Sequence, residues 1–399
     1  IRRIHFMKKI AIITLFYHNY NYGGVLQAYA LQKEIEKLGY NCDVISMDRQ
    51  TMKMFVPEAK NKNNSYKNNF ITFLTSLKNR IKNKLNSLLC INELQKKIKK
   101  FDSFIEKNIR KTDIVYTSDT ISQLINKYDL FITGSDQVFS PVSGRAETFL
   151  SFVPDEKGKI SYAASIGADS ITDEYGRCMK SFLKRFDVVS VREKGAKTII
   201  DNLMGKDICK VVLDPTLLYQ ESWAGLASPV NGITAESYVL LYFLGESDNE
   251  WNRAYSYAKT TGLKILNIPY NKMQYNKRDY RHKQNFVWGG VGPEEFLWLI
   301  QNAAIVLTDS FHGTVFSVLF HKKFLVYLRE SENENGSMNG RMKDFLSSLS
   351  LEDRMINQKN KKSQSETADK QIDFETVDKK LDILRADSIK FLERALYEY

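Results

Sequence analysis

A chain of 399 residues exceeds what one compact core holds, and with 43% apolar residues it has the material for two domains of ordinary size. The four cysteines, Cys42, Cys90, Cys178 and Cys209, lie far apart without a C-x-x-C pair, which argues against a disulfide framework and a zinc site and fits a reducing cytoplasm. A net charge of +11 implies a basic surface for nucleic acid, an anionic membrane or a phosphorylated substrate, and charge alone does not choose among them.

Lys8-Lys9 followed by Ile10 to Tyr17 imitates a signal peptide, yet Asn and Tyr residues follow where a small-residue cleavage site is needed. We therefore read Met7 as the natural start and Lys9 to Leu15 as a first buried strand. No run approaches the roughly 18 apolar residues of a membrane span. The loop F-Y-H-N-Y-N-Y-G-G comes next, and Val25, Leu26, Tyr29, Leu31, Ile35 and Leu38 then mark one face of a helix that Gly39 ends. Cys42 to Met47 is the following strand, completing a β-loop-α-β unit of the parallel-sheet type in which Gly23-Gly24 lets backbone approach a ligand. Simple turn chemistry explains the glycines equally well, since neither a full G-x-G-x-x-G fingerprint nor a Walker lysine is present.

Residues 57 to 69 read as an Asn- and Lys-rich loop, and Phe70 to Leu88 as a basic amphipathic helix. A second such helix carries Ile98, Phe101 and Ile105. These helices either cover the sheet with solvated lysines outside or lie on an anionic membrane, and the first reading is preferred. Strands resume at Tyr128 to Thr133, Lys159 to Ser165, Asp187 to Val191 and Val211 to Leu213, where Asp214-Pro215 closes the first domain. Their polar ends, including Gly134-Ser135-Asp136-Gln137 and Arg192-Glu193, open at one edge of a parallel sheet, where ligands collect. A guanidinium there can grip a carboxylate or phosphate by two parallel bonds, the alternative being an ion pair with a neighbouring carboxylate.

A second α/β domain begins near residue 220, with strands at Tyr238 to Leu244, Lys264 to Ile268, Ile305 to Thr308 and Phe324 to Leu328. Its helices are Trp251 to Lys259, Pro293 to Asn302, Phe311 to His321 and a terminal one from Val377 to Leu396. The stretch I-V-L-T-D-S-F-H-G-T, Ile305 to Thr314, is a buried strand, a tight turn and a helix start. Unpaired N-H groups in that first helical turn suit an anion, and His312 among them is the obvious proton donor or acceptor. The plainer alternative is a surface or capping histidine.

The motifs N-Y-G-G-V-L-Q-A-Y-A-L, T-G-S-D-Q, Y-A-A-S-I-G, S-V-R-E, L-D-P, G-P-E-E-F and S-F-H-G occur in this order from Asn21 to Gly313. In them the chain resembles the polysaccharide pyruvyl transferase family over nearly its whole length. The resemblance implies two Rossmann-like α/β domains with parallel sheets in a GT-B-like arrangement, residues 1–220 with a basic insertion at about 57–112 and residues 221–399, with the site in the interdomain cleft. It implies transfer of pyruvate from phosphoenolpyruvate, a co-substrate, to a hexose of a bacterial surface polysaccharide or its lipid-linked precursor, usually as a ketal. Neither a metal nor a further cofactor is required, and nucleic acid is not an expected partner. The expected setting is cytoplasmic, with peripheral contact at the inner face of an anionic membrane.

The family histidine falls on His312 and the S-V-R-E arginine on Arg192. Ser310, Phe311, Gly313, Thr314, Asn21, Gly23, Gly24, Gly134, Ser135, Asp136 and Gln137 are expected to contact substrate through the matching motifs. His18 and Asp136, on strand-end loops, are candidates for an acceptor base or ligand. One departure matters: family members often have Asp-Arg-Leu-His where this chain has Asp309-Ser310-Phe311-His312, so a substrate-binding arginine is missing, and Arg341 or a lysine of the basic segment is a candidate to replace it. A nucleotide-sugar glycosyltransferase on the same architecture and an inactive, membrane-attached assembly factor are the rival readings.

Overall fold

A computed structural model describes residues 8–52, 91–245, 248–269, 281–329, 339–356 and 364–399. The loop expected at residues 57 to 69 and the basic helix expected at Phe70 to Leu88 lie outside the described residues. Two parallel sheets carry the chain, as expected for an α/β protein. The first runs β2-β1-β3-β4, with β1 at Lys9–Ile13, β2 at Asn41–Val44, β3 at Leu130–Thr133 and β4 at Gly158–Ser161. It is prolonged by bridges from Ile160 to Val188 and from Ala164 to Val191 into the pair β5, Val189–Val191, and β6, Cys209–Val211.

Strand β1 reads KIAII because both of its faces are covered. Ile10 and Ile12 join Leu26 and Leu31 of α1, Tyr22–Lys37, whereas Ala11 and Ile13 join Phe131 and Tyr128 on the other face. Asn21 caps α1 by accepting the Gly24 N-H at 3.3 Å, and Gly39, at φ 90°, ends it. The strand expected at Val211 to Leu213 lies slightly earlier, because Asp214 is committed to capping the short helix α5, Pro215–Leu218, with Pro215 at its start.

The second sheet runs β11-β10-β9-β7-β8, with β7 at Tyr238–Tyr242, β8 at Lys264–Asn267, β9 at Ile305–Thr308, β10 at Phe324–Tyr327 and β11 at Met355–Ile356. Helices α7, Pro293–Gln301, and α8, Phe311–Leu319, cover the face that looks back at α1. Tyr22 at the start of α1 stacks on Phe296 of α7 with centroids 4.2 Å apart and donates to the Val291 carbonyl at 3.0 Å. Such a stack contributes on the order of 1 kcal/mol beyond its buried area, and it sets the start of α1 beside the start of α8.

Residues 91–108 form helix α2. Its buried Phe101, Phe104 and Ile105 enter the main core, so this helix covers the fold, the preferred of the two sequence readings. Glu93 accepts the N-H groups of Gly289 and Gly290 at 2.6 and 2.9 Å, and Lys100 pairs with Glu295 at 2.6 Å, which fastens α2 to the second half. The terminal helix α11, Phe374–Glu398, belongs by sequence to the second half but returns to the first. Ser388 accepts the Leu213 N-H at 3.0 Å and Arg385 donates to the Leu217 carbonyl at 2.7 Å. Among the described residues no helix is long and apolar enough to cross a membrane.

Candidate active site

The turn between β9 and α8 is fixed by its own polar groups. Thr308 donates to the Tyr242 carbonyl at 2.6 Å and accepts the Ser310 N-H at 3.0 Å, while Ser310 caps α8 by accepting the Gly313 N-H at 3.3 Å. Asp309 accepts the N-H groups of Leu244 and Gly245 at 2.6 and 2.7 Å and pairs with Arg329 at 2.8 Å. His312 therefore has a defined place in the first turn of α8, with 8% of its surface exposed. Its ring lies against Gly23, where a Cβ would stand 1.9 Å from Nδ1, and its Nε2 lies 3.6 Å from Asp214.

Asp214 is the hub of the site. Its carboxylate accepts Thr216 through N-H and hydroxyl at 3.0 and 2.6 Å, the Ser135 hydroxyl at 2.8 Å and Arg192 Nη1 at 2.7 Å. Burial alone would raise its pKa, but His312, Arg192 and Thr216 outweigh that and hold it well below the usual carboxylate range.

The ion pair of Arg192 with Asp214 uses one corner of the guanidinium. Nε and Nη2, which form the opposite edge, are buried without a hydrogen-bond partner, although Glu193 stands 3.8 Å from Nε. Burial opposes the charge, but Asp214, Glu193 and Asp136 outweigh it and keep the guanidinium ionised. The group lies 4.4 Å over the Phe311 ring. Arg341, which opens helix α9, Gly340–Ser348, is half-buried and lines a small cavity with Glu193, Gly167, Gly195 and Gly340. Burial, then Arg192 and Arg329, lowers its pKa to about 10. Three guanidiniums thus share a neighbourhood at the N-terminus of α8, an arrangement that attracts a small polyanion. Among the described residues no group of three or more His, Cys, Asp and Glu side chains could hold a metal ion.

The sequence profile of polysaccharide pyruvyl transferases matches residues 21–331, most of the chain. The chain belongs to the polysaccharide pyruvyl transferase family. A comparison with curated proteins finds no sequence match. Among solved structures it is similar to UDP-GlcNAc 2-epimerase from Neisseria meningitidis bound to UDP-GlcNAc, at 10% identity and TM-score 0.47, over 96% of this chain and 99% of that one. It is also similar to the Streptomyces sp. SF2575 glycosyltransferase SsfS6 complexed with thymidine diphosphate, at 11% identity and TM-score 0.43, over 97% and 99% of the two chains. These likenesses are too distant to bear on activity or ligand.

In this polysaccharide pyruvyl transferase family member the motifs from both halves converge. Arg192, His312, Ser135, Phe311 and Gly23 surround Asp214 or touch a residue that does. Asp136, held at φ 72°, and Gln137, packed under Gly167, continue the same edge. Gly24 and Gly134 serve packing, since a Cβ there would meet the Leu15 carbonyl at 2.9 Å or Thr14 at 3.2 Å. Asn21, Ser310 and Thr314 spend side-chain hydrogen bonds on their own helices. His18 is exposed and stacked on Tyr17 at 4.1 Å, and none of its ring contacts among the described residues is with the Asp214 cluster. Sequence reasoning missed Asp214 and Arg329. Asp214 stood in the L-D-P motif, where the signal was a carboxylate at a strand end immediately before a helix-opening proline.

Proposed function

We propose that this transferase moves pyruvate from phosphoenolpyruvate to a hexose of a bacterial surface polysaccharide or its lipid-linked precursor. The observation that carries the reading is the Nε/Nη2 edge of buried Arg192, which makes no hydrogen bond and meets Glu193 only at 3.8 Å, beside the ring of His312 and on the same carboxylate. A buried guanidinium edge without hydrogen bonds is costly unless an anion completes it, and a planar carboxylate matches it with two parallel bonds. Arg341 and the N-terminus of α8 supply further positive charge for the phosphate, which supports Arg341 as the replacement for the arginine that Ser310 displaces.

In the reaction His312 donates a proton to C3 of the enol phosphate, and C2 becomes an oxocarbenium-like centre. A sugar hydroxyl attacks C2 and loses its proton, the C2–O bond to phosphate breaks, and phosphate departs with the electron pair. A neighbouring hydroxyl then attacks the same carbon and loses its proton, leaving a ketal and inorganic phosphate. Arg192 and Arg341 stabilise the anionic groups throughout, and Asp214 accompanies the imidazolium and keeps Arg192 in place. Cytoplasmic phosphoenolpyruvate and a lipid-linked acceptor fit a protein at the inner face of the membrane. The test is product mass after incubation with phosphoenolpyruvate and a lipid-linked oligosaccharide in deuterated water. A pyruvyl ketal whose methyl carries one solvent deuterium is expected; transfer of a hexose from a UDP- or GDP-sugar instead would overturn the reading.

A further inference from the structure

A second cationic group lies at the same carboxyl edge of the first sheet. Arg49 follows β2 and Arg145 lies in the loop after β3, so their loops stand on either side of β1. The loops are tied together. Tyr116 accepts the Asp48 N-H at 2.9 Å, Thr51 accepts the Ser118 N-H at 3.2 Å, and the Ser118 hydroxyl donates to Glu147. Arg145 is anchored by its own N-H on Thr148 at 3.0 Å and by Nη1 on the Gly144 carbonyl at 2.9 Å.

The Nε atoms of both arginines are buried with no hydrogen-bond partner. Among the described residues no carboxylate forms an ion pair with either. Burial, and then the charge of Arg145, disfavour the charge on Arg49, and Asp136 opposes both. Asp136 acts in the same way on Arg192 and Arg341, so both cationic groups feel its charge. Its left-handed backbone, at φ 72°, is the kind of strain that a fold retains where a side chain must be aimed.

We infer that Arg49 and Arg145 form a second anion site, which takes the phosphate or diphosphate of a phosphate-linked sugar acceptor. This rests on the donor reading above, in which Arg192 and Arg341 are occupied by the donor. A free sugar brings no charge to two guanidiniums without a carboxylate partner, whereas a sugar diphosphate does, and Asp136, whose charge reaches both groups, can accept a sugar hydroxyl. Titration calorimetry with inorganic pyrophosphate tests it. Wild-type protein should bind two equivalents, and Arg192→Gln should retain the one at Arg49. Arg49→Gln, which loses no side-chain hydrogen bond, should weaken that one about tenfold or more while phosphoenolpyruvate affinity holds.

UDP-hexose and a polyprenyl-diphosphate hexose in detergent micelles then compete with pyrophosphate, and whichever displaces it at this site names the carrier. Competition by neither, or unchanged pyrophosphate affinity and stoichiometry in Arg49→Gln, overturns the inference. Pyrophosphate binding that needs Arg49 in a protein that binds no phosphoenolpyruvate would instead sink the donor reading alone.

Discussion

Gly23→Ala sets helix propensity against the geometry of the site. Alanine in a helix is favoured over glycine by about 1 kcal/mol, so propensity alone predicts a stabler protein. The added Cβ would stand 1.9 Å from Nδ1 of His312, 2.4 Å from Cε1 and 2.5 Å from Cγ. Carbon and ring atoms rest near 3.5 Å, so ring and helix must part by about 1.5 Å. Neither moves freely: Tyr22 is stacked on Phe296 at 4.2 Å, and α8 is capped by Ser310 at 3.3 Å. Overpacking of this kind costs about 1–3 kcal/mol, which leaves a net loss of up to ~2 kcal/mol. Displacing His312 from Asp214 should cost about a hundredfold in turnover. Gly195→Ala, in the helix Lys194–Met204 where a Cβ meets nothing within 4 Å, is the control for stability alone, since Gly195 lines the Arg341 cavity, and should gain up to ~1 kcal/mol. Urea melts and phosphoenolpyruvate-dependent turnover read both effects. A Gly23→Ala protein that is stabler and fully active would refute the placement of His312 against α1.

His312→Ala should lower turnover by about a hundredfold or more and, because the buried ring packs on Gly23 and supports the Asp214 carboxylate, also lower the melting temperature; wild-type turnover would remove His312 from the mechanism. Asp214 holds a depressed pKa, so its contribution is present above the ordinary carboxylate pKa and lost as pH falls, when the unfolded chain takes up a proton that the folded one refuses. Asp214→Asn should therefore be less stable at pH 7 and lose less on acidification, as acid melts will show. Lys97 is 4% exposed and faces the rings of Tyr22 and Phe101 at 4.8 and 5.4 Å, and burial lowers its pKa from 10.5 to about 8. Below pH 8 the fold carries the full cost of a buried ammonium, and between there and 10.5 the folded protein sheds its proton first, so stability rises with pH. Lys97→Met should gain ~1–3 kcal/mol at pH 7 and less at pH 10; an equal gain at both would contradict this account of Lys97.

Strand β1 and the turn from β9 into α8 were legible because both faces of the sheet are covered and their apolar runs break sharply at polar residues. Arg192 and His312 were legible as strand-end chemistry in recognisable motifs. Asp214 was not, because its role arises only where β3, β5, α5 and α8 converge, and in sequence it reads as a cap before Pro215. The docking of α2 was hidden for a similar reason, since Glu93 and Lys100 read as surface charges until their partners at Gly289, Gly290 and Glu295 are known. His18 drew attention by residue type, yet its ring lies on Tyr17.

The central claim, that the Nε/Nη2 edge of Arg192 holds the donor's anionic groups, is tested most directly by calorimetric titration of phosphoenolpyruvate into wild-type and Arg192→Lys protein. Lysine keeps the charge and loses the fork, so wild type should bind and the variant should bind about tenfold or more weakly. Equal affinity in the two proteins, or no binding to either, would contradict it.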